Sequence, residues 1–270
     1  AAGFRPGIWI APFLVAPDSQ VAIDHPDWLA RHNPTKPLKA WVNPIWSQAE
    51  GGFMYGLDTT NPQVLDHLAH VASELVAMGF TYLKLDFTFA PSFDGIYADA
   101  SKTPAQRVRA GFEAIRRGAG NDAFLLGCGA PLAHVVGVVD GNRIGPDVAP
   151  LWEPTPEAEV IPGYLRTQPS TNYAQDATVL RAFMHRRLWL NDPDCLMLRT
   201  QQTALTAQQA KQWAHTVALS GGMALVSDDL ALLDAAAASL LTETIELGRR
   251  SDAAAQAGRG PLAPEYFAAL

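Results

Sequence analysis

Short apolar runs ending in polar or charged residues recur along this chain, and amphipathic segments separate most of them. GIWIAPF (7–13), FMYGLDTT (53–60), TYLKLDF (81–87), FLLGCGA (124–130), NRIGPDV (142–148), LWLNDPDCLML (188–198) and GGMALVSDD (221–229) read as strands. Val64, Leu68, Val71 and Leu75 recur at helical spacing behind Asn61 and Pro62, which suit a cap and a first turn, and Gly79 stands at the stop. Further helices are expected over 101–117, 174–187, 206–219 and 231–248. Buried strands alternating with helices build a parallel sheet, so the fold class is α/β.

Two architectures satisfy that alternation. A doubly wound sheet gathers its functional groups at one switch point and shows a Gly-rich phosphate turn; neither GxGxxG nor GxxxxGK[ST] is present. Here polar residues close nearly every run: Asp58, Lys84 and Asp86, Cys128, Arg143 and Asp147, Asn191 and Asp192, Ser227 and Asp228. A ring of such groups at strand C-termini is the pattern of a (β/α)8 TIM barrel. Residues 1–250 are read as one catalytic barrel, and 251–270 as its C-terminal end or an exit linker, since 251–262 is rich in Ala and Gly. Seven strands are one short of closure.

The net charge of -7, without a Lys/Arg run, gives no electrostatic reason to bind nucleic acid or an anionic membrane. Cys128 and Cys195 lack CxxC spacing, which argues against a zinc site or a disulfide framework. No stretch reaches the length of a transmembrane helix. His185 and His215 fall inside helical segments without HExxH spacing, and Ser220 lacks a GxSxG context.

Residues two apart on a strand share a face, so Lys84 and Asp86 point the same way. A carboxylate beside a cation stays ionised, which suits a nucleophile and equally suits a structural ion pair. Arg143, Gly145 and Asp147 share a parity, with Pro146 marking the strand end. A carboxyl group at a strand tip, shielded by Pro150 and Trp152, suits a general acid; a loop aspartate capping a turn explains it too. Two inward carboxylates without phosphate or cofactor motifs match glycoside hydrolysis. Trp9, Trp41, Trp152 and Trp189 are candidate sugar-stacking rings, each also explicable as core packing. Asn191, Asp192 and Asp194 could offer oxygens to a divalent metal, but the spacing fits a turn or a hydroxyl-binding role better. Asp228 and Asp229 are read as caps of the following helix.

GIWIAPF, GLDTTNP, YLKLDF, LGCGAPL, RIGPDVAP, HRRLWLNDPDCLMLR and SGGMALVSDD together resemble the bacterial α-galactosidases (melibiases) of glycoside hydrolase family 36, in clan D, and they come in that family's order. The resemblance implies a retaining double displacement on terminal α-galactosyl residues of melibiose- or raffinose-type oligosaccharides. It implies Asp86 as nucleophile, Asp147 as acid/base, and Lys84 and Arg143 as hydrogen-bond partners of sugar hydroxyls. Cys128 and Gly129 match a strand lining the same subsite; Asp58, Trp9 and Asp192 are weaker substrate-binding candidates. No metal or organic cofactor is implied. The bacterial cytoplasm fits a reduced active-site thiol, and a homo-oligomer stays open for the full-length form.

One departure is that the family's DxGDW-like first strand has no counterpart here, so the expected barrel is incomplete, with its first βα unit missing and its activity reduced or lost. Within the clan, an α-N-acetylgalactosaminidase or a galactosyl transferase shares the catalytic pair. A non-catalytic sugar-binding barrel, or a metal-dependent one using Asp192, Asp194 and Asp228, are rivals of other classes.

Overall fold

The structure, a computed structural model, describes residues 3–154 and 168–257. The chain divides into two compact units, Ala1–Asn142 and Arg143–Leu270, a division that falls inside the span read as one domain.

In the first unit the chain runs through β1 (Gly7–Ile10), β2 (Leu14–Val15), β3 (Lys39–Val42), β4 (Phe53–Gly56), α1 (Pro62–Ala77), β5 (Tyr82–Leu85), α2 (Pro104–Ala119), β6 (Phe124–Gly127) and β7 (Gly141–Arg143), the last ending at the unit boundary. The order β1-β5-β6-β7 is a parallel sheet, with Gly7 opposite Tyr82, Tyr82 opposite Phe124 and Leu126 opposite Gly141. Leu83, Leu85 and Leu125 are fully buried. The α/β expectation holds, with one correction. FMYG is not a strand of the parallel series: β4 pairs antiparallel with β2 and β3 in a small separate sheet. An apolar run with a polar end records burial, not strand direction.

Helix α1 starts where expected, with Asn61 accepting from the Gln63 N–H and Pro62 in the first turn, and it buries Val64, Leu68 and Ala72. Helix α2 begins three residues later than expected, because Thr103 and Gln106 form a reciprocal cap ahead of it. The two helices approach so closely at Gly118 that an added Cβ would lie 1.9 Å from the Ala69 carbonyl oxygen. Backbone cannot yield as a flexible side chain does. Gly118→Ala is therefore expected to destabilise the protein by about 3 kcal/mol, read as a lower urea midpoint.

The second unit holds α3 (Thr171–Arg181), β8 (Leu190–Asp192), β9 (Cys195–Leu196), α4 (Ala207–Ser220), β10 (Leu225–Val226) and α5 (Ala235–Gln256). β9 and β10 are parallel. The long run expected over 188–198 is split at Pro193, which has no N–H to give, and Asp194, whose φ is +84°. Trp213, Val217, Leu196, Leu198 and Val148 form its core, and the Trp213 indole N–H reaches the Cys195 carbonyl at 2.9 Å. Thr206 and Gln209 cap α4 reciprocally, and Gly221 ends it in the left-handed region. Residues 251–256, expected to be loose, continue α5, and the rest of the expected exit segment, 258–270, lies outside the described residues.

Candidate active site

Asp86 leaves the C-terminal end of β5, its own N–H bonded to the Ile10 carbonyl at 2.9 Å. Both carboxylate oxygens have donors. The Trp9 indole N–H reaches Oδ2 at 2.8 Å, and the Phe87 backbone N–H reaches Oδ1 at 2.8 Å. Trp9 stands opposite Lys84 in the β1–β5 register, so the sheet itself brings the indole beside the strand end. Phe87 has φ +52°, a left-handed conformation that costs an L-residue roughly 1–2 kcal/mol. That turn aims its N–H back at Asp86. Gly129, also left-handed at φ +57°, borders the same carboxylate: a Cβ there would sit 3.5 Å from Oδ1. Cys128 is buried, with its N–H on the Leu85 carbonyl and its carbonyl accepting from Thr88 Oγ1. Lys84 is half-buried, and among the described residues no ion pair joins it to Asp86.

An aromatic cluster adjoins this carboxylate through Trp9 and Phe87. Trp46 lies 5.3 Å from Trp9 and 5.1 Å from Phe87, and Trp41 lies 5.0 Å from Phe87. Trp9, Trp41 and Trp46 remain 42%, 38% and 38% exposed, so they form an open wall and not a core. Trp46 is not among the rings that the sequence singles out, although Trp41 of the same stretch is.

In the second unit Asp147 has an exposed side chain, and its Oδ1 accepts from Arg143 Nη2 at 2.6 Å. Arg143 is nearly fully buried and also pairs with Asp194 Oδ2, which accepts from the Val148 N–H at 2.8 Å as well. From the sequence Arg143 and Asp147 share a strand parity; the structure pairs them and adds Asp194 as a second partner.

Other candidates have structural settings. Asp58 is 3% exposed; it accepts from the Thr60 N–H and hydroxyl on Oδ1 and from the Ala98 N–H on Oδ2, so it ties two loops together. Asp192 is fully buried and braces the next turn, its Oδ1 accepting from the Asp194 N–H at 2.8 Å. Trp189 is buried on Asn191. Asp228 holds the Leu198 and Arg199 N–H groups instead of capping a helix, whereas Asp229 does cap the turn that follows. Among the described residues no three His, Cys, Asp or Glu side chains converge as a metal site would need. Likewise, no helix among them is long and apolar enough to cross a membrane.

His185 is buried, with Nδ1 accepting from the Asn191 N–H. Burial, helped by the Arg186 charge and opposed by Asp252, pushes its pKa down to about 4. The folded protein then favours neutral His185, while the unfolded chain takes up a proton near its ordinary value of about 6.5. Stability is thus fully present above that value and is lost as pH falls toward 4, by at most about 3 kcal/mol. Urea unfolding at pH 7 and pH 4.5 is expected to show this loss, and His185→Gln to reduce it.

No family model matches the chain. Solved structures do. An α-galactosidase from Thermus thermophilus, in complex with stachyose, matches 90% of this chain at 31% identity and a TM-score of 0.77; the chain spans 50% of that protein. The same enzyme with p-nitrophenyl α-D-galactopyranoside matches at a TM-score of 0.74, with 47% of its chain covered. The family 36 α-galactosidase AgaA from Geobacillus stearothermophilus shares the fold at 15% identity and a TM-score of 0.55, over 91% of this chain and 31% of its own. The chain therefore has the α/β fold of the TIM-barrel glycosidases. Within that class it is similar to the α-galactosidases of family 36 and clan D, as its motifs implied.

Proposed function

We propose that this chain carries the catalytic groups of a retaining α-galactosidase, which removes terminal α-galactosyl residues from oligosaccharides by double displacement. Asp86 attacks the anomeric carbon and departs again, and Asp147 protonates the leaving oxygen and then activates water. The observation that carries this reading is the setting of Asp86: a strand-end carboxylate with an N–H donor on each oxygen, beside open aromatic rings. Similarity to a stachyose-bound α-galactosidase supports the galactosidase-like glycoside hydrolase class and the oligosaccharide substrates. In this reading Lys84 and Arg143 meet sugar hydroxyls, Gly129 leaves room at the Asp86 carboxylate, and Cys128 is a packing and hydroxyl-contact residue. The test is hydrolysis of raffinose and of p-nitrophenyl α-galactoside by the full-length protein; failure to cleave either, in a folded sample, overturns the reading.

The aromatic wall adds a narrower expectation. A pyranose presents C–H faces to an aromatic ring, so Trp46 suits the sugar beyond the scissile bond. Trp46→Ala is expected to raise KM for raffinose by about 3- to 10-fold, the range a single aromatic contact supports. kcat on p-nitrophenyl α-galactoside should stay within about twofold, and Trp46→Phe should recover part of the loss.

A further inference from the structure

We propose that Asp194 is a positioning residue for the proton-transfer step, fixing Asp147 through Arg143 and the Val148 peptide; this rests on the acid/base role assigned to Asp147 above. The Asp147 side chain is 73% exposed and by itself would sample many rotamers. Two tethers restrain it. Arg143 Nη2 holds its Oδ1 at 2.6 Å, and the N–H of the next residue, Val148, is held by Asp194 Oδ2 at 2.8 Å. The same Asp194 oxygen also accepts from Arg143 Nη2. One buried carboxylate oxygen thus anchors the guanidinium that grips the acid and the backbone that carries it.

Asp194 is itself built in. It is 7% exposed, and its own N–H is bonded to Asp192 Oδ1. Its φ of +84° is a conformation that an L-residue adopts at a cost, retained where the surroundings dictate it. The charges follow the same logic. The Arg143 guanidinium, 4% exposed, lies between two carboxylates. Asp194 thus shares with Asp147 the one guanidinium that grips it, and the grip on the exposed carboxylate is fixed by a buried one.

The experiment compares kcat/KM for raffinose, whose leaving oxygen needs protonation, with that for 2,4-dinitrophenyl α-galactoside, whose leaving group does not. Full-length wild type, Asp147→Ala, Asp194→Asn and the double variant are measured on both. Asp194→Asn is expected to lower the raffinose value by about 100-fold and the dinitrophenyl value by less than about fivefold. In the Asp147→Ala background it should add little to the raffinose loss, because both changes remove one step. Equal losses on the two substrates, additive losses, or no loss would each overturn the positioning role. Asn keeps an acceptor for the Val148 N–H, so the fold has a way to survive the change, and Asp194→Glu serves as a second variant, expected to recover part of the raffinose activity. A wild type that cleaves neither substrate sinks the glycosidase reading and this inference together. A wild type and an Asp147→Ala variant that behave as expected, beside an indifferent Asp194→Asn, sink this inference alone.

Discussion

Asp86→Ala is expected to lower hydrolysis of p-nitrophenyl α-galactoside by about 10⁴-fold or more, and added azide or formate to restore part of the rate. The variant removes the attacking oxygen but leaves the strand, the Trp9 indole and the Phe87 peptide in place. A small anion can then enter the vacated space and attack the anomeric carbon itself. One displacement inverts configuration, so the azide adduct should be the β-galactosyl azide. No rescue, or an α-linked adduct, would remove Asp86 from the nucleophile role, whatever the size of the rate loss.

Asp147→Ala is expected to separate substrates by their leaving groups. Raffinose should lose about 10²- to 10⁴-fold, the range associated with a positioned proton donor, and 2,4-dinitrophenyl α-galactoside far less. In this variant the nucleophile is intact, so azide intercepts the glycosyl-enzyme at a second displacement and the adduct should be α-linked. The two variants thus give adducts of opposite configuration, and that contrast assigns the two roles independently of rate. If good and poor leaving groups suffered alike, the acid assignment would be wrong.

What the sequence reveals depends on how far apart the interacting residues lie. The helix behind Asn61 and the strand before Asp86 are legible because capping and alternation are local, contained within a few residues. The antiparallel placement of Phe53–Gly56 is not, because its partners are Leu14–Val15 and Lys39–Val42, short segments without a period of their own. Asp58 and Asp86 both end apolar runs and look alike in sequence. They part company only in three dimensions, where Ala98, forty residues downstream, takes the second oxygen of Asp58, and the Trp9 indole is brought to Asp86 by strand pairing. Arg143 and Asp147 are four apart, and their shared parity is legible in the sequence, though their ion pair is not. Asp194, separated from Arg143 by 51 positions, left no such mark and surfaced only as one of three oxygens in a turn.

The two donors on Asp86 bear on how long a covalent adduct would last. In the proposed cycle the same carboxylate must first form a bond and later give it up. An N–H bonded to each oxygen favours the full negative charge of the free carboxylate over the weaker acceptor it becomes as an ester. Such donors blunt the nucleophile on the way in and improve it as a leaving group on the way out. In that proposed cycle the indole and the Phe87 peptide would weight the site toward release of the galactosyl ester and against its accumulation.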